Sequence, residues 1–318
     1  MGSGMRALAI DLGGTHALCA VVSENCVLAK RIVPLTAESG LAPLLPVFAR
    51  VLRELVRECG IDVSDCSGVA MGFCGLTDTD RCRVLSTNKK FDDAPGLDLA
   101  GWCRDNLGLR LKLENDVRMA LLGERASGAA RGFEDAVMIT LGTGFGGAAM
   151  IGGHLLRGKH YQAGCLGGHF GGYYAGRPCT CGNIGCIEAE ASGWALPGIC
   201  RGWPGFSESA LAAEPILDFA TLFRLADCGD RVAGQIAEHC VRVWSAGAVA
   251  LIHAYDPEVV VIGGGVMQRG ERLLGPVRKY IHEHAWTPWG KVEVCAAALG
   301  SDAGILGAAA LLGEEVPA

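Results

Sequence analysis

No stretch of this chain approaches the roughly 18 consecutive apolar residues that a membrane span needs. Its opening, "MGSGMRALAI", carries no long apolar run of the kind that heads a secreted protein. Both absences point away from a membrane and from an oxidising compartment, so cytoplasmic residence is the expectation. A basic surplus is missing too. The formal net charge is −6, which leaves no electrostatic footprint for nucleic acid. Any anionic ligand must then be held by local dipoles. No Gly-Lys-Ser/Thr follows a glycine turn, which excludes a Walker phosphate loop. Charged residues make up only 19% of the chain and hydrophobic ones 50%, a balance that excludes wholesale disorder. The 318 residues suffice for one large domain or two ordinary ones.

Glycine and cysteine, by contrast, are abundant. The 47 glycines are about twice the usual ~7% share, and they point to many turns or close backbone approaches to a ligand. The 15 cysteines are an odd number. Most stand singly in apolar segments (Cys19, Cys66, Cys74, Cys240, Cys295), where they read as small buried hydrophobes. In a reduced cytosol a cluster of cysteines reads as metal-binding or catalytic before disulfide.

The chain opens with an apolar strand, "RALAID" (Arg6–Asp11), a turn, "LGGT", and a second strand, "HALCAVV". Such a hairpin can bring its glycine tip close to a ligand. Residues 41–59 have helical apolar spacing in their second half. "SGVAMGFCG" reads as a buried strand, "LAGWCRDNLG" as a short helix, "LRLKLEN" as a strand and residues 116–132 as a helix with an acidic first residue. The second half restarts the pattern: "DAVMITLGTGFGGAAMIGG" is again strand, glycine turn, strand. The repeat predicts two related halves, each offering one glycine-rich tip. Alternating helices and strands, including "DPEVVVIGGGV", complete the chain and place it in the α/β class.

Three constellations carry chemistry. The tips "DLGGT" (Asp11–Thr15) and "LGTGFGG" (Leu141–Gly147) present amides and a Thr hydroxyl with no Cβ in the way, as a phosphate cradle requires. A tight structural hairpin is the plain alternative for either tip alone. The pair, with "IGGG" (Ile262–Gly265) ending a third strand, favours nucleotide binding, and Asp11 is then placed to hold Mg2+ indirectly. In "LENDVRMALLGE", Asp116 stands where a strand meets a helix. Taken alone it reads as a helix cap, but a phosphoryl acceptor hydroxyl needs just such a carboxylate in reach. Asn115 and Asn88 are candidate amides for neighbouring hydroxyls, the latter with a turn as its plain alternative. Finally, Cys179, Cys181, Cys186 and His169 offer four soft or borderline ligands within eighteen residues. A Cys3His set is a closed, structural zinc site. Gly182 and Gly185 permit the turns that point three sulfurs inward.

These elements, in this order and over almost the whole chain, resemble the ROK family (repressors, open reading frames and sugar kinases) of the actin-like ATPase, ribonuclease H-like fold. The zinc segment "HFGGYYAGRPCTCGNIGCIEAEAS" and the Glu-Asn-Asp segment are the specific matches. The resemblance implies two domains with a cleft between them: residues 1–115, with a last helix at about 302–318 packing back, and residues 116–301, carrying the zinc. It implies phosphoryl transfer from ATP with Mg2+ to a hexose, glucose at the 6-hydroxyl by default, with Asp116 as general base. Asn88, Asn115, His169 and Glu188 would hold the other hydroxyls. His169 would use one ring nitrogen for zinc and the other for sugar. Asp11, Gly13, Gly14, Thr15, Gly142, Thr143, Gly144, Gly264 and Gly265 would hold the nucleotide. A homodimer is the family habit, and domain closure would exclude water.

Two departures bear on the substrate. The family reads Ala-Gly-Glu-x-Gly-His before the zinc segment, whereas this chain reads "AGCLGGHF", so Leu166, beside Cys165, stands for a sugar-binding glutamate. His160 is one residue that compensates on this reading. "GFCGLTD" (Gly72–Asp78) replaces a common Pro-Gly turn. His16, where many members carry Lys, has no interpretation. Mannose, fructose, allose or an N-acetylhexosamine are therefore alternative substrates, and a catalytically weak sugar-binding protein is an alternative function. A DNA-binding regulator would need an N-terminal helix-turn-helix ahead of Arg6, for which no room is expected.

Overall fold

The structure is a computed structural model that describes residues 5–14, 16–35, 40–87 and 90–314. Thr15 and Asn88 lie outside the described residues. In chain order the elements begin with β1 (Arg6–Leu12), β2 (His16–Ser23), β3 (Cys26–Pro34), α1 (Leu45–Glu58), β4 (Val69–Phe73), β5 (Leu76–Asp78) and β6 (Arg83–Ser86). There follow α2 (Leu99–Leu107), β7 (Leu111–Asn115), α3 (Asp116–Ser127), β8 (Ala136–Leu141), β9 (Phe145–Ile151), β10 (His154–Leu155) and α4 (Ile187–Ala191). The rest are α5 (Leu196–Arg201), α6 (Phe219–Asp227), α7 (Arg231–Tyr255), β11 (Val259–Gly263), α8 (Glu271–His284), β12 (Glu293–Ala296) and α9 (Ala303–Gly313).

They form two compact units. The first holds residues 1–133, 155–165 and 297–318; the second holds 134–154 and 166–296. Each unit contains a five-stranded sheet, in the order β3-β2-β1-β4-β7 and β10-β9-β8-β11-β12 respectively. In the first, β1 is antiparallel to β2 and parallel to β4, which is parallel to β7. In the second, β8 is antiparallel to β9 and parallel to β11, which is parallel to β12. The repeat glimpsed as two glycine-tipped hairpins therefore extends to a common five-strand plan. Parallel strands are covered on both faces, and β4 and β11 are accordingly buried at every residue.

In the first unit α1 follows its apolar period: Phe48, Leu52, Leu55 and Val56 face inward. The last helix, α9, is apolar nearly all round and is buried at nine of its eleven residues, as such a helix must be. It lies backbone to backbone on α3. A Cβ on Gly307 would fall 1.9 Å from the Met119 carbonyl oxygen, and one on Gly123 would fall 2.1 Å from that of Ala303.

This packing moves the boundary expected at Asn115. α3 belongs to the first unit, because it is sealed to α9 and because Glu124 accepts from the amides of Ala298 (3.1 Å) and Leu299 (2.9 Å). The segment 155–165 also belongs to the first unit. The fully buried Arg118 holds it, donating from Nη2 to the carbonyls of Leu156 (3.1 Å), Tyr161 (3.0 Å) and Ala163 (2.5 Å). α3 itself stops at Ser127, short of the expected Gly132, as the Glu124 carboxylate turns back to the Ala129 amide (2.7 Å).

Candidate active site

In the first unit, parallel pairing brings the chemistry together. Asp11 on β1 is the register partner of Gly72 on β4, and Phe73 is the partner of Asn115 on β7. The carboxyl ends of three adjacent strands thus place Asp11, Gly72 and Asp116 side by side. Gly72 leaves room for both carboxylates. A Cβ would strike the Met119 side chain at 2.7 Å, 3.2 Å from Asp11 Oδ1 and 3.5 Å from Asp116 Cα. Gly304 of α9 closes the far side, where a Cβ would lie 2.4 Å from Asp11 Oδ2.

The helix cap at this junction is Asn115, whose Oδ1 accepts from the amides of Val117 (3.1 Å) and Arg118 (3.2 Å). Its Nδ2 donates to Gly75 O (3.2 Å) and to Asp116 Oδ1 (2.9 Å). Asp116 is the first helical residue. Its Oδ1 also accepts from the Val117 amide (3.0 Å), which leaves Oδ2 for other partners. Burial lifts the Asp116 carboxyl to about 6, against the opposing pull of those donors. Asp11 rises to about 7, from burial first and from the like charge of Asp116 second. The two acids stand close enough for the charge of one to act on the other.

At the tip beside them, Gly13 N donates to His16 O (3.1 Å), and the Cys74 thiol lies 4.0 Å from Gly13 O. Gly14 is exposed.

In the second unit the turn Gly142–Gly144 joins β8 to β9, with Gly142 N donating to Gly144 O (3.1 Å). Among the described residues, no hydrogen bond is donated by the amides of Thr143 or Gly144. The β8–β11 pairing carries Gly264 to the root of this turn. At φ +91° its missing Cβ would sit 2.3 Å from the Leu141 carbonyl oxygen, so no other residue fits. Gly265 follows at the start of a short 3-10 turn.

The same unit assembles the cysteine cluster. Ligand atoms of His169, Cys179, Cys181 and Cys186 all lie within 4.8 Å of one another. His169 Nδ1 is 3.5 Å from Cys179 Sγ, and the sulfurs of Cys181 and Cys186 are 3.7 Å apart. A tetrahedral zinc with bonds of ~2.0–2.3 Å sets ligand atoms about 3.5–3.8 Å apart, so this donor set fits the ion. Positive φ at Gly182 (+92°) and Gly185 (+67°) makes the turn. A Cβ on Gly185 would fall 1.5 Å from the Tyr173 carbonyl oxygen. Glu190 fastens the segment from α4, accepting from the Arg177 amide (2.6 Å) and from its Nη1 (2.7 Å).

Glu188, also on α4, is 8% exposed and has a protein donor on each oxygen: the Phe145 amide on Oε2 (3.0 Å) and the Trp194 indole on Oε1 (3.1 Å). Leu166 is half-buried at the head of the turn that carries His169, and His160 is exposed.

The sequence-predicted residues thus gather as two sets. Asp11, Gly13, Gly14, Asn115 and Asp116 are in the first unit. Gly142, Thr143, Gly144, Gly264, Gly265, Glu188 and the four cluster ligands are in the second. Sequence reasoning missed Gly72, Gly304, Arg118 and Trp194. Gly72 could have been marked as a glycine interrupting a buried strand; nothing local distinguishes the other three.

The model of the ROK family matches residues 7–315. A glucokinase of Thermotoga maritima is 33% identical over 319 residues, covering 98% of each chain. Among solved structures, a ROK hexokinase from Thermus thermophilus is 32% identical with a TM-score of 0.78, covering 96% of this chain and 98% of that one. A ROK family glucokinase from Streptomyces griseus, in complex with glucose and AMPPNP, is 30% identical with a TM-score of 0.77 and the same coverage.

Proposed function

The chain belongs to the ROK family, and from that footing we propose that it is an ATP-dependent sugar kinase acting on a hexose, glucose at its 6-hydroxyl in the first place. The observation that carries the proposal is Asp116. It is a carboxylate at the first residue of a helix, one oxygen pinned and the other open, with its acid strength lowered by burial to about 6. A base so tuned is mostly ionised at neutral pH, yet basic enough to draw a proton from an alcohol as it attacks phosphorus. The sugar oxygen forms its bond to the γ-phosphorus while the bond to the ADP oxygen breaks, and the hydroxyl proton passes to Asp116. Catalysis is then positioning and charge stabilisation.

The phosphates are read as held by the turns at Asp11–Thr15 and Gly142–Gly144 and by Gly264 and Gly265, whose amides approach without a Cβ. The acidic pair Asp11 and Asp116, in which the charge of Asp116 raises the proton affinity of Asp11, fits a divalent cation as partner. Mg2+ held through Asp11 neutralises phosphate charge when bound. His169, with Asn88, Asn115 and Glu188, is assigned the remaining sugar hydroxyls. Its Nδ1 faces the sulfurs, so Nε2 is the atom left for sugar. Zinc in the Cys3His set supplies rigidity and fixes the His169 tautomer. The reading extends to a cytoplasmic homodimer working in carbohydrate breakdown. No helix among the described residues is long and apolar enough to cross a membrane.

The test is ADP release with Mg-ATP over glucose, mannose, fructose, allose, N-acetylglucosamine and N-acetylmannosamine. Glucose is expected to give the highest kcat/KM. A different winner would shift the substrate to that sugar. No stimulation by any of them, with heat stabilisation by one, would replace the kinase with a sugar-binding protein.

A further inference from the structure

The turn Gly142–Gly144 is not held by its hairpin alone. The segment after α4 reaches across to it: Gly193 N donates to Gly142 O (3.0 Å) and Trp194 N to Thr143 O (3.0 Å). Immediately beyond the turn, the Phe145 amide donates to Glu188 Oε2, while the Trp194 indole donates to Glu188 Oε1. One tryptophan therefore grips the turn twice, directly through its backbone and indirectly through Glu188. The approach is close: Gly193 faces a backbone oxygen and Gly144 the end of the Glu188 side chain. A Cβ on Gly144 would fall 2.6 Å from Glu188 Oε2, and one on Gly193 would fall 2.8 Å from Gly142 O.

A buried carboxylate beside a turn that receives phosphate is a liability unless its charge is tied to donors. Here an amide and an indole N–H take one oxygen each. With the indole lost, Oε1 has no described donor, and the carboxylate is free to swing on its side-chain torsions and release Phe145. The open amides of Thr143 and Gly144 would lose their fixed direction with it. We propose that Trp194 is a positioning residue for the phosphoryl donor: its indole N–H orients Glu188, and Glu188 holds the Gly142–Gly144 turn in the shape that accepts phosphate.

The inference rests on the kinase reading of this turn, and the experiment separates the two. Trp194 is 39% exposed, so Trp194→Phe keeps most of the packing and deletes the N–H. In steady-state kinetics this variant is expected to raise KM for Mg-ATP at least five-fold, and KM for sugar, which Glu188 also contacts on the kinase reading, by a clearly smaller factor. Calorimetric affinity for ADP is expected to weaken in parallel. Trp194→His, which returns a ring N–H, is expected to recover part of the loss. An unchanged KM for ATP, or equal losses for both substrates, overturns the positioning role while the kinase stands. A parent enzyme with neither nucleotide binding nor turnover removes the kinase reading and this inference together. If Trp194→Phe melts below the assay temperature, Glu188→Gln is read by calorimetric ADP affinity alone, in the absence of sugar. Its amide oxygen can accept at only one of the two positions, so an unchanged ADP affinity there is equally fatal.

Discussion

Replacing Asp116 by Asn sets catalysis against stability. Burial lifts the carboxyl from 3.8 to about 6, and a rise of that size corresponds to ~3 kcal/mol of disfavour for the ionised form. Some of that is relieved by water at its partly open surface, so the net penalty is about 1–3 kcal/mol. The sign follows from proton binding. A carboxyl with raised folded-state pKa binds protons more tightly folded than unfolded, so wild-type stability declines as pH rises from about 4 to about 6. Asn keeps an oxygen for the Asn115 and Val117 donors and carries no charge. Asp116→Asn is therefore expected to be more stable than the parent by about 1–3 kcal/mol at pH 8, and to converge with it near pH 4. Turnover should fall by ~10²–10⁴, the usual yield of general-base catalysis, with sugar affinity nearly intact. The same ionisation should make the parent's kcat/KM rise through about pH 6. Urea unfolding at pH 4, 6 and 8, alongside kinetics, reads both effects. A variant no more stable at pH 8 than the parent would show that the carboxylate is not desolvated. Near-normal turnover would show that it is not the base.

Two other perturbations bear on the scaffold. Elemental analysis should find about one zinc per chain, and stripping it should unfold the segment 169–190 at a cost of several kcal/mol, seen as a lower melting temperature and protease cleavage there; a fully active metal-free protein would contradict the assignment. Gly307→Ala should lower stability by about 1–3 kcal/mol in thermal unfolding, because its Cβ meets a backbone oxygen at 1.9 Å. A gain of ~1 kcal/mol, as at an open helical glycine, would mean that α3 and α9 are not in contact.

What was legible in the sequence was local. Both glycine hairpins, the strand-helix junction at Asn115–Asp116 and the Cys3His set declare themselves within windows of at most twenty residues, and the structure brings the four ligands within one cluster. Spacing suffices there because a short segment has few ways to fold around its own side chains. Gly72 and Gly304 escaped because their meaning lies in a neighbour. Only parallel pairing shows that Asp11 stands beside Gly72, and only the return of α9 puts Gly304 against the same carboxylate. The boundary at Asn115 failed for a related reason. A change of pattern along the chain marks where elements change, but unit membership is decided by packing. Arg118 and Glu124 look like the polar face of an amphipathic helix, yet both are wholly buried and fasten distant backbone.

The backbone contact between α3 and α9 has a consequence in time. A ribosome delivers Asp116 long before Ala303: at about 5–20 residues per second, the interval is on the order of ten to forty seconds. Throughout it the first sheet is complete in sequence but lacks the helix that seals α3 and supplies Gly304 beside Asp11. A nascent chain therefore emerges with an open apolar face that stays uncovered until α9 has been made. A message broken after β12 would encode both glycine hairpins, the Asn115–Asp116 junction and the Cys3His set, and yield a protein without the helix that closes on Asp11.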